Sequence, residues 1–256
     1  MGAPDHPVAL ITGGSRGIGA ATARALSERG YDVAFTFRNK EARAAVVVSA
    51  VEQRGAGCLA LRCDMTRQAE VEQLFVRFRE WRDHLNILVL SASGGLERDL
   101  VAADPAYPLR INRDAQLSIL EGALPLMCGG QVVFVTSHWA HLYGQVAQLP
   151  RYAAVAETKH AGEQALRGRQ AALARRGIRL LVVTGDLVEG TITPKLLELA
   201  APGLTAARQE KIGGLPDTRQ MAEAIVMAAM DPALASGHTV VVGGALDSLP
   251  RSGTGH

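Results

Sequence analysis

A doubly wound α/β domain, with a parallel sheet of about seven strands and helices on both faces, is predicted by three observations. Short, wholly apolar runs alternate with longer amphipathic ones; the runs lack the in-out alternation of a half-exposed strand; and the chain is long enough for one sizeable core. The apolar runs fall at 8–11, 33–37, 58–61, 87–90, 132–135, 180–183 and 239–242. Each stops at a glycine, a polar residue or a turn-forming cluster, as a buried strand does. Between them, 20–29, 42–53, 69–81, 114–126, 153–175 and 219–230 have the length and composition of crossover helices. One domain over 1–249 is expected. Within it, 194–214 carries Pro202, Gly203, Gly213 and Gly214 and is expected to be a mobile insertion, a substrate lid. The tail 250–256 is expected to be disordered.

The 256 residues are 48% hydrophobic and carry 27 basic against 25 acidic side chains, a formal charge of +2. Lys and Arg are interspersed with Asp and Glu, which argues against nucleic acid or an anionic membrane as partner. The three cysteines, Cys58, Cys63 and Cys128, have no metal-ligand spacing and suit a reducing compartment, so the cytoplasm is expected. There is no pattern of an export signal or membrane span.

The first strand runs into Thr12-Gly13-Gly14-Ser15-Arg16-Gly17-Ile18-Gly19, and a helical pattern begins at once. Glycines in a strand–turn–helix let backbone approach a pyrophosphate, which free N–H groups and the helix dipole then hold. This placement makes the sheet Rossmann-type. Cofactor choice is read after the second strand, where an NAD-preferring site usually has a carboxylate; here stand Arg38-Asn39-Lys40. Arg38 and Arg16 can clamp a 2′-phosphate, which predicts NADPH. Asp64 either accepts from the adenine amino group or caps the next helix ahead of Thr66.

These residues resemble the short-chain dehydrogenase/reductase family, whose TGxxxGxG pattern is residues 12–19, and the likeness spans nearly the whole chain. The resemblance implies an active-site asparagine at Asn112 and a serine at Ser137. It also implies cofactor contacts along Ser91, Ala92, Ser93 and Gly185, and a homodimer or homotetramer formed through the helices at 114–126 and 153–175. Ser91-Ala92-Ser93 replaces the family's asparagine-containing turn, and Thr184-Gly185 its proline-glycine. The usual Tyr-x-x-x-Lys is broken, since Ala156 follows Tyr152 at that spacing and the family's tyrosine position is Val155.

Tyr152 and Lys159 instead have the Tyr-x6-Lys spacing of the enoyl-thioester reductase branch, and 137–159 with the turn Ser93-Gly94-Gly95 most resembles its standalone bacterial enoyl-acyl-carrier-protein reductases. Seven helical steps turn through about 700°, close to two full turns, so both side chains share one helix face with roughly 10 Å of rise. Tyr152 is then expected to protonate a developing oxyanion, with Lys159 stabilising it and holding the nicotinamide ribose, Ser137 adding a hydrogen bond, and Asn112 fixing Lys159 through its backbone or a water. The segment Ser137-His138-Trp139-Ala140-His141-Leu142-Tyr143 is rich in rings, and His138, Trp139, His141 and Tyr143 are expected to line the substrate pocket. Ser137 lies fifteen positions before Tyr152, so Tyr143 and His141 stand as alternative proton donors. No metal site is expected, since no nearby Cys or carboxylate completes one. The expected activity is NADPH-dependent reduction of a conjugated enone or acyl thioester, with ketone reduction at the same site as the alternative. A non-catalytic NADP(H)-binding sensor is the reading from another class.

Overall fold

In the computed structural model, which describes residues 6–252, each strand carries side chains to both faces of one sheet. Val8 and Leu10 of β1 (Val8–Ile11) enter one apolar cluster, and Ala9 and Ile11 enter another. β4 (Ile87–Leu90) divides in the same way, Leu88 and Leu90 to the first cluster, Ile87 and Val89 to the second. Such period-2 division with both faces covered is why these segments read as unbroken apolar runs. The remaining strands are β2 (Asp32–Phe37), β3 (Cys58–Arg62), β5 (Gly130–Ser137), β6 (Ile178–Gly185) and β7 (Thr239–Val242). Their order is β3-β2-β1-β4-β5-β6-β7, with neighbouring strands parallel throughout. The chain direction across the sheet reverses between β1 and β4, and ligands of open α/β sheets bind at that crevice, beyond the carboxyl ends of the strands.

The helices are, in chain order, α1 (Gly17–Ser27), α2 (Glu41–Glu52), α3 (Gln68–Trp81), α4 (Arg98–Ala103), α5 (Tyr107–Leu109), α6 (Ala115–Ala123), α7 (His138–His141), α8 (Ala153–Arg167), α9 (Gln170–Ala174), α10 (Ile192–Ala200), α11 (Leu204–Ile212) and α12 (Thr218–Met230). Between α5 and α6 the chain makes a π-helical turn, Arg110–Asp114. The helix expected over 153–175 is divided at Gly168, a weak helix former, into α8 and α9.

The expected mobile insertion at 194–214 is mostly α10 and α11. Pro194 sits in the first turn of α10, where a missing N–H costs nothing, and Gly203 and Gly213 (φ 87° and 78°) punctuate the two ends of α11. The Glu198 carboxylate also accepts from the backbone N–H groups of Gly203 and Thr205 at 2.5 and 2.9 Å, capping the start of α11. The expected disorder of the tail fails over 250–252: Ala147 N donates to Pro250 O at 2.8 Å, Ser252 N to Gln145 O at 3.1 Å, and Arg251 bridges Val146. Residues 253–256 lie outside the described residues. Among the described residues no helix is long and apolar enough to cross a membrane.

Candidate active site

A cleft of about 720 Å³ runs along the carboxyl ends of the strands, lined at one end by the glycine turn and at the other by Ser137, Tyr152 and Lys159. The turn between β1 and α1 is built so tightly that side chains are excluded. A Cβ on Gly14 would stand 2.4 Å from Phe35, and one on Gly19 2.5 Å from the Gly13 carbonyl oxygen. Thr12 Oγ1 accepts from Ser91 N and Ala92 N at 2.9 and 3.0 Å, tying the turn after β4 to the turn after β1. No side chain caps the first turn of α1, so its N–H groups are left for an anion. A dinucleotide fits this cradle: Gly13, Ser15, Arg16, Gly17, Ile18, Gly19, Ser91, Ala92 and Ser93 all line the cleft.

Arg38, past the end of β2, lines the same cleft and donates from Nη1 to the Tyr107 hydroxyl at 2.7 Å. A guanidinium has five N–H donors, so this bond orients Arg38 without exhausting it. Tyr107 carried no signal in the sequence, since an aromatic residue 69 positions away has no local pattern linking it to Arg38. Asp64 also lines the cleft, and its Oδ1 accepts from Thr66 N (3.1 Å) and Thr66 Oγ1 (2.7 Å), so it organises the turn ahead of α3.

At the other end, Tyr152 Oη donates to Ser137 Oγ at 2.9 Å. The long loop between them folds back, bringing together two residues whose reach the fifteen-position separation left open. Ser137 Oγ also accepts from Ala140 N at 3.3 Å as the N-cap of α7. Both bonds use its lone pairs, leaving the serine hydrogen available for a ligand. Tyr152 is itself the N-cap residue of α8, a position short of the helical interior, and its carbonyl accepts the helix's opening bond from Ala156 N at 2.8 Å. Burial holds its phenol above its ordinary pKa, the Ser137 bond opposing, so at neutral pH the proton is in place. Lys159 donates from Nζ to the Val135 carbonyl oxygen at 3.0 Å rather than to the Tyr152 hydroxyl. Burial lowers its ammonium to about 8, with the Glu163 carboxylate opposing.

Glu163 is 1% exposed and was not singled out in the sequence. His141 Nδ1 lies 2.8 Å from its Oε1, and Arg167 Nε donates to the same oxygen at 2.9 Å. Burial works to raise the Glu163 pKa, but His141 and Arg167 outweigh it and hold the carboxyl below its ordinary value. A fixed anion thus sits one helical turn beyond Lys159.

Several expected site residues lie elsewhere. Asn112, in the π-helical turn, is buried outside the cleft lining; its Nδ2 donates to Gly94 O (2.9 Å) and Thr158 Oγ1 (3.0 Å), so its side chain holds the turn after β4 against α8. Gly185 is outside the lining too: its missing side chain makes room for Met221, whose sulfur would stand 2.7 Å from a Cβ. Of the four expected pocket residues only Trp139 lines the cleft. His138 is buried between Thr184 Oγ1 (3.0 Å) and Gly244 O (2.9 Å), and burial pushes its pKa down to about 4, which makes it a neutral core residue. His141 is turned to Glu163, and the Tyr143 ring lies against His160 with centroids 6.0 Å apart.

Residues 7–198 match the short chain dehydrogenase family. The chain belongs to this family. Among its members, the hydroxynaphthalene reductase-like protein Arp2 of Metarhizium majus (strain ARSEF 297) is 31% identical over 160 residues, and the match spans 61% of this chain but 58% of that protein's length. The 3-oxoacyl-[acyl-carrier-protein] reductase of Mus musculus is 28% identical over 246 residues, 93% of this chain and 97% of that one. A short chain dehydrogenase of Burkholderia cenocepacia J2315, solved in complex with NADP, superposes with a TM-score of 0.80 at 26% identity, covering 94% of this chain and 98% of that one. Short-chain dehydrogenases are oxidoreductases, and the seven-stranded parallel sheet described above is their fold.

Proposed function

We propose that this short-chain dehydrogenase is an NADPH-dependent reductase of a ketone carbonyl. The observation that carries the reading is the 2.9 Å contact between Tyr152 Oη and Ser137 Oγ at the mouth of a cleft that also holds Lys159. Two hydroxyls within bonding distance of each other can both address one substrate oxygen. When bound, NADPH supplies hydride to the electrophilic carbon. Ser137 then turns its free hydrogen to the oxygen where charge develops, and Tyr152 releases its bond to Ser137 and donates its proton to that oxygen. The Lys159 ammonium, fixed on the Val135 carbonyl, keeps a positive charge at this end of the cleft and favours loss of the phenolic proton. Leu96, Leu187 and Leu196 give the wall around the reacting carbon an apolar lining. Likeness to the mouse 3-oxoacyl-[acyl-carrier-protein] reductase and to the hydroxynaphthalene reductase-like protein of Metarhizium supports this reading.

Reduction of a conjugated enone or enoyl thioester is the second reading, favoured by the seven-position separation of Tyr152 and Lys159. Following NADPH consumption with matched ketones and enones separates the two. Ketone turnover supports the carbonyl reading, turnover of enones alone replaces it, and tight nucleotide binding without any turnover leaves the sensor.

Arg38 and Arg16 in the cleft support selection of the 2′-phosphate. NADPH is expected to bind at least about tenfold more tightly than NADH, about 1.4 kcal/mol and within reach of one guanidinium–phosphate pair. Titrating both nucleotides into wild type and Arg38→Ala checks this. Equal affinities in the wild type, or an unchanged ratio in the variant, would remove Arg38 from the site. The pH dependence is a further expectation. Lys159 is cationic below its pKa of about 8 and neutral above it, so ketone reduction should fall as pH rises through that value. A rate that stays flat from neutral pH well past that point would show that the lysine charge is not needed.

A further inference from the structure

Lys159 and Glu163 lie four places apart on α8, so their side chains leave neighbouring points of one helix face. Both are buried, and that face is pressed so closely against the π-helical turn that a Cβ on Gly162 would collide with the Asn112 carbonyl. A charge is felt more strongly there than in water, because the medium between the two groups screens it poorly. Three contacts fix the carboxylate: His141 Nδ1 lies 2.8 and 3.0 Å from its two oxygens, and Arg167 Nε donates at 2.9 Å. Arg167 is in turn anchored on Gly237 O and Thr239 Oγ1, at 2.9 and 2.8 Å. The titratable groups on the other elements packed against α8 are engaged elsewhere: His138 of α7 with Gly244 O, Tyr107 of α5 with Arg38, Arg110 and Arg113 of the π-helical turn with Asp104 and Asp114, Glu121 of α6 with Arg169, and Arg179 of β6 with backbone carbonyls. Asp186, just past β6, is paired with Arg208. On α8 itself, Glu157 is exposed and His160 bonds the Ala140 carbonyl.

We infer that Glu163 is a positioning residue, whose buried carboxylate, held by His141 and Arg167, keeps the Lys159 ammonium charged while the enzyme turns over. This rests on the carbonyl-reductase reading above, in which that charge favours loss of the phenolic proton from Tyr152. Burial by itself favours the neutral amine; besides Glu163, the Val135 carbonyl and the Phe134 ring, 5.7 Å from Nζ, favour the cation. Glu163 and Arg167 act on the lysine in opposite senses. Removing the carboxylate also leaves the Arg167 charge without its partner, so Lys159 gives up its proton at lower pH. Removing the Arg167 charge leaves the carboxylate less offset, so Lys159 keeps its proton to higher pH.

The test compares kcat for a ketone at saturating NADPH in wild type, Glu163→Gln and Arg167→Gln, across the range in which Lys159, with its value of about 8, changes charge. In Glu163→Gln the midpoint of the fall should move down by about one pH unit, leaving the rate near pH 6 almost unchanged and lowering it about fivefold near pH 8. In Arg167→Gln the midpoint should move up. A merely structural role for Glu163 would lower the rate by one factor at every pH. Unmoved midpoints, or midpoints shifted in the same direction in both variants, would overturn the assignment. Both variants are repeated in a His141→Gln background, which removes the cluster's imidazole; loss of the opposite shifts there would transfer the effect to His141 and overturn the assignment as well. NMR of protein labelled with [13Cε]lysine follows Lys159 without turnover. The chain has four lysines, so the Lys159 signal is identified by its loss in Lys159→Met, and it should show the same opposite shifts. If Glu163→Gln does not fold, Arg167→Gln decides alone, an unmoved or lowered midpoint being the contrary result. If wild type reduces no ketone, the functional reading falls, and the NMR titration still decides whether Glu163 holds the lysine's charge.

Discussion

Tyr152→Phe is expected to lower kcat by about 10²–10⁴ while leaving NADPH affinity nearly unchanged. The substitution keeps a ring in the apolar cluster that Tyr152 shares with Trp139 and Val155 and removes only the hydroxyl bonded to Ser137. Proton donation, not packing, is what the variant loses. Tyr143→Phe serves as the control, because that ring lies against His160 and outside the cleft lining, and it should keep near-normal turnover. Steady-state kinetics on a ketone substrate, with nucleotide titration alongside, read both quantities. Near-normal turnover of Tyr152→Phe together with collapse of Tyr143→Phe would move the proton donor into the loop. Retained activity in both would leave water or the substrate as the proton source.

Arg208→Ala is expected to cost about 3–5 kcal/mol, because it leaves the Asp186 carboxylate buried without its counter-ion. The two side chains are 7% and 0% exposed, and Arg208 meets Asp186 through Nη2 at 2.5 Å and Nε at 3.0 Å while also donating to Ser248 Oγ at 2.8 Å. The pair fastens α11 to the segment after β6. The loss should therefore appear first as faster hydrogen exchange over 192–212 and then as a lower urea midpoint. Adding Asp186→Asn to the variant should recover part of it, since the orphaned charge is gone. An unchanged urea midpoint and unchanged exchange in that segment would mean that the pair contributes nothing to holding α10 and α11.

The centre of the sheet was legible because its strands are covered on both faces, so Val8–Ile11 and Ile87–Leu90 stand out as apolar runs with the limits the structure gives them, whereas the edge strand Thr239–Val242, with Val241 exposed, is marked by its run of β-branched residues. The glycine turn was legible for a similar reason, since contacts as close as those at Gly14 and Gly19 admit no other residue. What the sequence did not disclose depends on contacts across long separations. Asp186 and Arg208 are 22 positions apart, and no periodicity links them. Pro202, Gly203 and Gly213 suggest an irregular insertion when read as composition, and in the structure they fall between and beyond two helices, α10 and α11. Glu163 four places after Lys159 has the pattern of a solvated helical pair. The available hint was Gly162 beside it: a Cβ there would stand 2.1 Å from the Asn112 carbonyl oxygen, so this face of α8 is pressed against the π-helical turn and cannot reach water. His138 and Tyr143 were drawn into the pocket by composition alone, and composition does not say which way a four-residue helix turns its rings.

The apolar cluster around Trp139, Val155, Leu187, Leu197 and Leu249 is distinct from the two that cover the faces of the sheet. Selection can therefore act on it almost separately. Leu187 lines the cleft from this cluster, so a library confined to Leu187 is expected to yield folded, nucleotide-binding variants with altered preferences while the two clusters that cover the sheet stay as they are.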